Sequence, residues 1–154
     1  MKEIIEKLTK NKKTISTMES CTGGGLANAI TNIEGASEVI KYSAVTYSNE
    51  FKIKMGVSKD IIDKYTVYSI QVADEMSKAI SNFTSSNYGV GITGKLNRVD
   101  RFNPYGEDNV VYISIYSKDN DKFYHGTVEC TENSREKNKQ LVIDTVANIL
   151  NSIL

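Results

Sequence analysis

The stretch TISTMESCTGGGLANAI, residues 14–30, passes from one structural pattern to another within a few residues. Its first part mixes threonine, serine and apolar residues as strands do, and its last part has the apolar spacing of a helix. Between the two parts lie Glu19, Ser20, Cys21 and Thr22, followed by three glycines. A strand that passes directly into a helix predicts an α/β fold, with hydroxyls and bare backbone at the carboxyl end of the strand.

Outward from this corner, helical and strand patterns alternate along the chain. Helices are predicted at 2–12, 22–32, 49–56 and 59–65, from the N-cap Ser69, and from Asn133 onward, and strands at 14–19, 38–48, 88–94, 109–117 and 122–130. Helices between strands imply crossover connections and a parallel core, whereas the last two strands flank a short turn and predict a hairpin. We therefore predict one domain, residues 1–154, with three α/β/α layers, a mixed, mainly parallel sheet and a C-terminal antiparallel hairpin.

The composition narrows the possible function classes. Nineteen basic and nineteen acidic side chains cancel, which argues against a bulk electrostatic grip on nucleic acid or on an anionic membrane. No apolar run approaches the roughly 20 residues of a spanning helix, and the charged N-terminus does not resemble a signal peptide. With one histidine, and with Cys21 and Cys130 far apart, a zinc site is not expected. We expect a cytoplasmic protein with two reduced thiols and no metal.

Three predicted strands end in polar or glycine-rich corners, at 19–24, 47–49 and 93–94. In open α/β sheets, ligands bind beyond the carboxyl ends of the strands. The glycines of the first corner fit two interpretations: close packing of helix on strand, or a backbone that a phosphate or an oxyanion can approach. Neither G-x-x-x-x-G-K-[ST] nor G-x-G-x-x-G is present, so the corner matches no P-loop and no dinucleotide fingerprint.

Ser20 is the candidate nucleophile at the first corner, and a hydroxyl nucleophile needs a base. The only histidine, His125, falls in the middle of a predicted strand, which argues against a Ser-His-Asp triad. Lys52 lies one helical turn beyond the second corner and could act as a base if burial lowers its pKa. Tyr47 on the same corner could relay a proton or orient the lysine. Cys21 is the rival nucleophile and ranks below Ser20, because free cysteines are mostly buried apolar residues.

Six segments together resemble the C-terminal domain of the CinA family, which also occurs alone as nicotinamide-nucleotide amidase. They are E-S-C-T-G-G at 19–24, G-A-S at 35–37, Y-S-N-x-x-K at 47–52, G-V at 56–57, V-x-S at 67–69 and T-G at 93–94. The resemblance covers essentially the whole chain. It implies a metal-independent hydrolase that converts nicotinamide mononucleotide to nicotinic acid mononucleotide and ammonia.

The same resemblance implies roles for individual residues. Ser20 would be the nucleophile, Lys52 the base and Tyr47 the partner of the base. The implied substrate-binding and oxyanion residues are Thr22, Gly23, Gly24, Asn49, Thr93, Gly94 and Arg135, the last of which would hold the substrate phosphate. The resemblance further implies a small nucleotide as the binding partner, no cofactor, and self-association into a homo-oligomer.

One segment departs from the family pattern. After Thr93-Gly94 the family continues with a glycine- and proline-rich loop, whereas residues 95–106 of this chain replace those glycines and carry Lys95, Arg98 and Arg101. The added charges could hold a phosphate in a different way, or they could be a solvated loop. The departure leaves an alternative open: a nucleotide-binding relative that has a different substrate or is catalytically silent.

Overall fold

The computed structural model describes all residues, 1–154. The helices are α1 (Lys2–Lys10), α2 (Gly25–Thr31), α3 (Asn49–Lys54), α4 (Lys59–Tyr65), α5 (Ile70–Thr84) and α6 (Arg135–Ile153), with one 3₁₀ turn at Ala36–Glu38. The strands are β1 (Ile15–Glu19), β2 (Ile40–Val45), β3 (Tyr88–Gly94), β4 (Val110–Ser117) and β5 (Lys122–Glu129). Every predicted helix and strand is present.

The five strands form one sheet in the order β2-β1-β3-β4-β5. β1 pairs in parallel with both β2 and β3, whereas β3–β4 and β4–β5 are antiparallel. The predicted mixed sheet and C-terminal hairpin are therefore confirmed. The parallel part brings the carboxyl ends of β1, β2 and β3 to one edge, where all three predicted polar corners meet.

Helices cover both faces of the sheet and enclose two apolar cores. The larger core has 21 buried residues and joins α1, α2 and α6 to one face. The smaller core has eight buried residues and joins α4 and α5 to the opposite face through Met18 and Ala44. Because side chains alternate along β1, Ile15 belongs to the larger core and Met18 to the smaller one. Strand β1, which leads to Ser20, is thus buried on both sides.

Helix α5 lies directly on the backbone of β3. A Cβ atom added at Gly91 would lie 2.3 Å from the carbonyl oxygen of Ala73, and one added at Gly89 would lie 2.0 Å from that of Ser77. Any side chain at these glycines would push the helix away. This close approach fixes the position of α5 against the strand that leads to Thr93 and Gly94.

Two helix starts differ from their predicted positions. Helix α2 begins at Gly25 instead of residue 22, because 21–24 form a turn in which Gly23 and Gly24 have φ angles of 61° and 89°. Such angles suit glycine. Helix α6 is capped by Ser134 and not by Asn133, since the Ser134 hydroxyl accepts a hydrogen bond from the Lys137 amide.

Candidate active site

The carboxylate of Glu19, fully buried at the end of β1, organises the first corner. It accepts hydrogen bonds from the amides of Leu26 and Ala27 at 3.1 and 2.9 Å, and from the Thr22 hydroxyl at 2.7 Å. Amide groups of the first turn of α2 are therefore occupied inside the protein. The Leu26 and Ala27 amides are therefore not available to a substrate anion, because a carboxylate of the chain itself binds them.

The turn between Glu19 and α2 still leaves donors free. The amide of Gly23 donates to the Ser20 carbonyl at 3.0 Å and that of Gly25 to the Thr22 carbonyl at 3.2 Å. The amides of Cys21, Thr22 and Gly24 donate to no acceptor within the protein. Backbone amides next to a nucleophile are the usual donors to an oxyanion.

Ser20 and Lys52 meet in the interior. The Nζ atom of Lys52 lies 3.0 Å from Ser20 Oγ and donates to the Thr46 carbonyl at 2.7 Å. Lys52 has only 1% of its surface exposed and Ser20 has 6%. Burial lowers the pKa of Lys52 to about 8, because the charged ammonium loses its hydration. The pair therefore has the distance and the weakened basicity that a serine–lysine mechanism requires.

Thr46 is a member of this cluster that the sequence did not single out. It follows β2 directly, and its amide donates to the Glu19 carbonyl at 2.8 Å while its own carbonyl accepts from Lys52. Its hydroxyl is buried without a hydrogen-bond partner. An unpaired buried hydroxyl beside a reactive pair is the kind of polar atom that a bound substrate or water satisfies.

Burial shifts the pKa of Cys21 in the opposite direction to that of Lys52. Cys21 is 6% exposed, and burial raises the pKa of its thiol to about 12. A thiol that stays protonated at neutral pH is a poor nucleophile. The environment thus favours Ser20 over Cys21 at this corner.

A cavity of about 1140 Å³ opens beside Ser20 and Cys21. Tyr47, Asn49, Gly94 and Arg135 also line it, together with residues of the loop 95–103. These four residues were all predicted to belong to the site. They come from the β2–α3 connection, the end of β3 and the start of α6. The fold gathers them at the carboxyl edge of the parallel strands.

Tyr47 lies in this cavity but does not contact the reactive pair. It is 66% exposed, and its hydroxyl accepts a 3.5 Å hydrogen bond from Arg135 while making none with Lys52 or Ser20. The predicted relay through Tyr47 is therefore absent, because the phenol projects outward while Lys52 reaches inward from the next helical turn.

Five predicted site residues do not line the cavity: Lys52, which is buried against Ser20, and Thr22, Gly23, Gly24 and Thr93. The Thr22 hydroxyl is turned onto Glu19, and the buried Thr93 hydroxyl donates to the Val67 carbonyl at 2.9 Å. Gly23 lies against the Lys139 ammonium, and Gly24 against Val45. These groups make contacts within the protein. Thr22 and Gly24 could therefore contact a substrate only through their free backbone amides.

His125 stands apart from this site. Its Nε2 atom hydrogen-bonds to Asp74 of α5 at 2.7 Å, and the residue does not line the cavity. A second serine–lysine pair, Ser134 and Lys137, matches the S-x-x-K pattern, but Ser134 caps α6. Neither supplies a base to Ser20, whose only basic neighbour within hydrogen-bond distance is Lys52.

The loop 95–106 is anchored at several points. Lys95, almost fully buried, bonds to Asp108 at 2.8 Å. Asp100 accepts from the Tyr68 hydroxyl and from the Asn103 amide group, and Asn103 in turn accepts from Asn49 at 3.0 Å. Asn49 therefore connects the loop to the helix that carries Lys52. Asn49 lines the cavity, and its side chain donates to Asn103 of the loop.

The molecule has no group of three or more His, Cys, Asp or Glu side chains placed to hold a metal ion. None of its helices has both the length and the apolar character needed to cross a bilayer.

The model of the CinA C-terminal domain matches residues 1–154. The chain belongs to the CinA C-terminal domain family. A CinA-like protein of Flavobacterium psychrophilum is 38% identical over 109 residues, which are 70% of this chain and 26% of that protein. A relative from Clostridium kluyveri, named as competence-damage inducible, is 38% identical over 120 residues, or 77% of this chain and 29% of the relative. The chain thus spans about a quarter of the length of these CinA relatives.

Solved CinA structures share the fold. A CinA-superfamily protein of Escherichia coli superposes with a TM-score of 0.86 at 23% identity, over 99% of this chain and 87% of the other. A competence/damage inducible protein of Agrobacterium tumefaciens gives a TM-score of 0.82 at 27% identity, over 98% and 89% of the two chains. The three-layer architecture with its mixed sheet is therefore that of the CinA domain.

Proposed function

We propose that this CinA domain is a metal-independent amidohydrolase that deamidates nicotinamide mononucleotide to nicotinic acid mononucleotide and ammonia. The observation that carries the proposal is the buried 3.0 Å contact between Lys52 Nζ and Ser20 Oγ. The choice of substrate follows from the resemblance to stand-alone nicotinamide-nucleotide amidases.

The neutral form of Lys52 is the active base. Its amine donates one hydrogen to the Thr46 carbonyl, which directs the lone pair toward the Ser20 hydroxyl. As Lys52 takes the proton, Ser20 Oγ attacks the carboxamide carbon. With a pKa of about 8, the amine is neutral in about a tenth of the molecules at pH 7 and in half of them at pH 8.

The developing oxyanion needs donors that are already in place. The free amides of Cys21 and Thr22 follow the nucleophile directly in the chain and supply them. The Lys52 ammonium then returns its proton to the departing nitrogen, and ammonia leaves an acyl-serine. The same lysine removes a proton from the water that releases the carboxylate product.

The intact pair supports an enzyme over a silent binding module. A buried lysine with a lowered pKa costs folding free energy, because the unfolded chain can hydrate the ammonium. A binding module would gain nothing from keeping that residue beside a serine. The cavity adds Arg135 for a phosphate and the exposed ring of Tyr47 for an aromatic base.

Ammonia release from nicotinamide mononucleotide by the purified protein tests the proposal. We expect turnover by the unchanged chain, turnover slower by about 10³-fold or more in Ser20→Ala, and near-normal turnover by Cys21→Ala as the matched control. A mass shift for an acyl-serine trapped in acid would identify Ser20 directly. Turnover that survives in Ser20→Ala and is lost in a folded Cys21→Ala would refute the assignment.

A further inference from the structure

The chain has only three arginines, and all three line the same cavity as Ser20. Arg98 and Arg101 come from the loop after β3, and Arg135 comes from the first turn of α6. The 16 lysines, by contrast, are spread over the molecule, and only Lys95 lines the cavity. Guanidinium groups bind phosphate oxygens in pairs of hydrogen bonds, which lysine cannot do. Their collection in one place points to more than one phosphate.

None of these arginines is paired with a carboxylate. The one acidic residue that lines the cavity, Asp100, is occupied by the Tyr68 hydroxyl, the Phe102 amide and the Asn103 side chain. Lys95, the remaining cation, bonds to Asp108 at 2.8 Å. Apart from the long bond of Arg135 to Tyr47, the arginines therefore keep their hydrogen-bond donors free for a ligand.

The same loop holds an aromatic ring in the open. Phe102 is 94% exposed and lines the cavity, although the bonds of Asp100 and Asn103 hold the loop on both sides of it. An exposed phenyl ring on the wall of a cavity offers a ligand apolar surface to cover. Beside two guanidinium groups, such a ring suits the flat face of a nucleobase.

We propose that the site accepts the mononucleotide of the proposed function but prefers a dinucleotide that carries the carboxamide on one base and has a pyrophosphate bridge. The inference rests on the proposed amidase function. The carboxamide would lie at Ser20, the pyrophosphate between Arg135 and the loop arginines, and the second base against Phe102. The reaction is unchanged: water and the carboxamide give a carboxylate and ammonia, and the pyrophosphate stays intact.

The size of the cavity agrees with a ligand larger than a mononucleotide. Its volume of about 1140 Å³ lies slightly above the roughly 300–1,000 Å³ that is usual for small-molecule sites. A single phosphate is neutralised by one or two guanidinium groups, and a mononucleotide has only one base. Arg98, Arg101 and Phe102 would then have no partner.

The test compares ammonia release from nicotinamide adenine dinucleotide and from nicotinamide mononucleotide. We expect kcat/KM at least tenfold higher for the dinucleotide. The double variant Arg98→Ala/Arg101→Ala should lose at least tenfold for the dinucleotide and less than threefold for the mononucleotide. Phe102→Ala should also lose more kcat/KM for the dinucleotide than for the mononucleotide, but by a smaller factor. Tyr105→Ala is the matched control, because Tyr105 is 66% exposed on the same loop but does not line the cavity.

The outcomes separate this inference from the proposed function. Hydrolysis of the mononucleotide with no preference for the dinucleotide overturns the inference and leaves the amidase intact. If neither compound releases ammonia, the proposed function fails, and titration calorimetry of both compounds decides the inference alone. Tighter binding of the dinucleotide, abolished in the double arginine variant, would support it, whereas equal or absent binding would overturn it.

Discussion

The corner at 19–24 and the loop 95–106 face each other across one cavity and are built in opposite ways. Residues 19–22 of the corner are buried, and a single carboxylate, Glu19, binds the turn and the start of α2. The loop is mostly exposed, and it holds its arginines and Phe102 out toward the cavity. Reactive groups need a dry and fixed environment, whereas ligand recognition needs accessible charge and aromatic surface. The two regions can therefore change independently, and their variants should fail differently.

Loss of the reactive pair should have the largest effect. Ser20→Ala and Lys52→Ala should each slow turnover by about 10³-fold or more, because nucleophile and base act as a unit. Lys52→Arg should fail as badly as Lys52→Ala, since a guanidinium does not lose its proton near neutral pH. Steady-state ammonia assays, with circular dichroism as the check on folding, measure this. Activity of Lys52→Arg above a tenth of normal would remove Lys52 from the role of base.

Loss of the buried carboxylate should unfold the corner rather than weaken binding. Glu19→Ala leaves the amides of Leu26 and Ala27 and the Thr22 hydroxyl without acceptors. We expect about 3 kcal/mol less free energy of unfolding in urea titrations. Glu38→Ala, at an exposed site, should change it by less than about 0.5 kcal/mol. Equal stability of the two variants would show that Glu19 does not hold the turn.

The pH dependence of the rate and of the free energy of unfolding should report on buried Lys52. Because burial lowers the pKa of Lys52 to about 8, kcat/KM should rise with pH and level off above that value. The unfolded chain binds the lysine proton more tightly, so the free energy of unfolding should also rise between about pH 8 and 10.5. Lys52→Met should remove that contribution to the slope. A rate profile that is flat from pH 6 to 9 would contradict the lowered pKa.

Tyr47→Phe should have the smallest effect on rate. Its hydroxyl contacts Arg135 and not Lys52, so its loss should raise KM by less than about tenfold and leave kcat nearly unchanged. Separate determination of kcat and KM makes the distinction. If kcat instead fell a hundredfold or more, Tyr47 would be restored to the proton path that the structure does not show.

The sequence predicted the order of helices and strands better than it predicted side-chain directions. Ser20 and Lys52 could be found because both follow strands of a parallel unit, whose carboxyl ends must share an edge. Thr22 and Thr93 were assigned to the site because of their position, but their hydroxyls turn inward to Glu19 and to the Val67 carbonyl. Which way a side chain turns depends on packing that no local pattern encodes.

Glu19 and Thr46 show why the rest could not be predicted. A glutamate before a glycine turn resembles a surface or active-site residue, and only the tertiary contact with α2 reveals a buried helix cap. The bond between Asn49 and Asn103 joins residues 54 positions apart, so the sequence alone left two equal interpretations of the loop. Long-range polar contacts of this kind became visible only with the fold.

The buried carboxylate of Glu19 also bears on how the reaction cycle ends. Under the proposed function, the substrate would bring a carboxamide to the corner, and the product would bring a carboxylate to the turn that the Glu19 carboxylate already holds. We expect repulsion between like charges at this corner to offset the attraction between the product carboxylate and the Lys52 ammonium. We expect the acid nucleotide to inhibit turnover only at concentrations well above KM for the amide. Departure of the product would then be fast, and the chemical step would limit the rate.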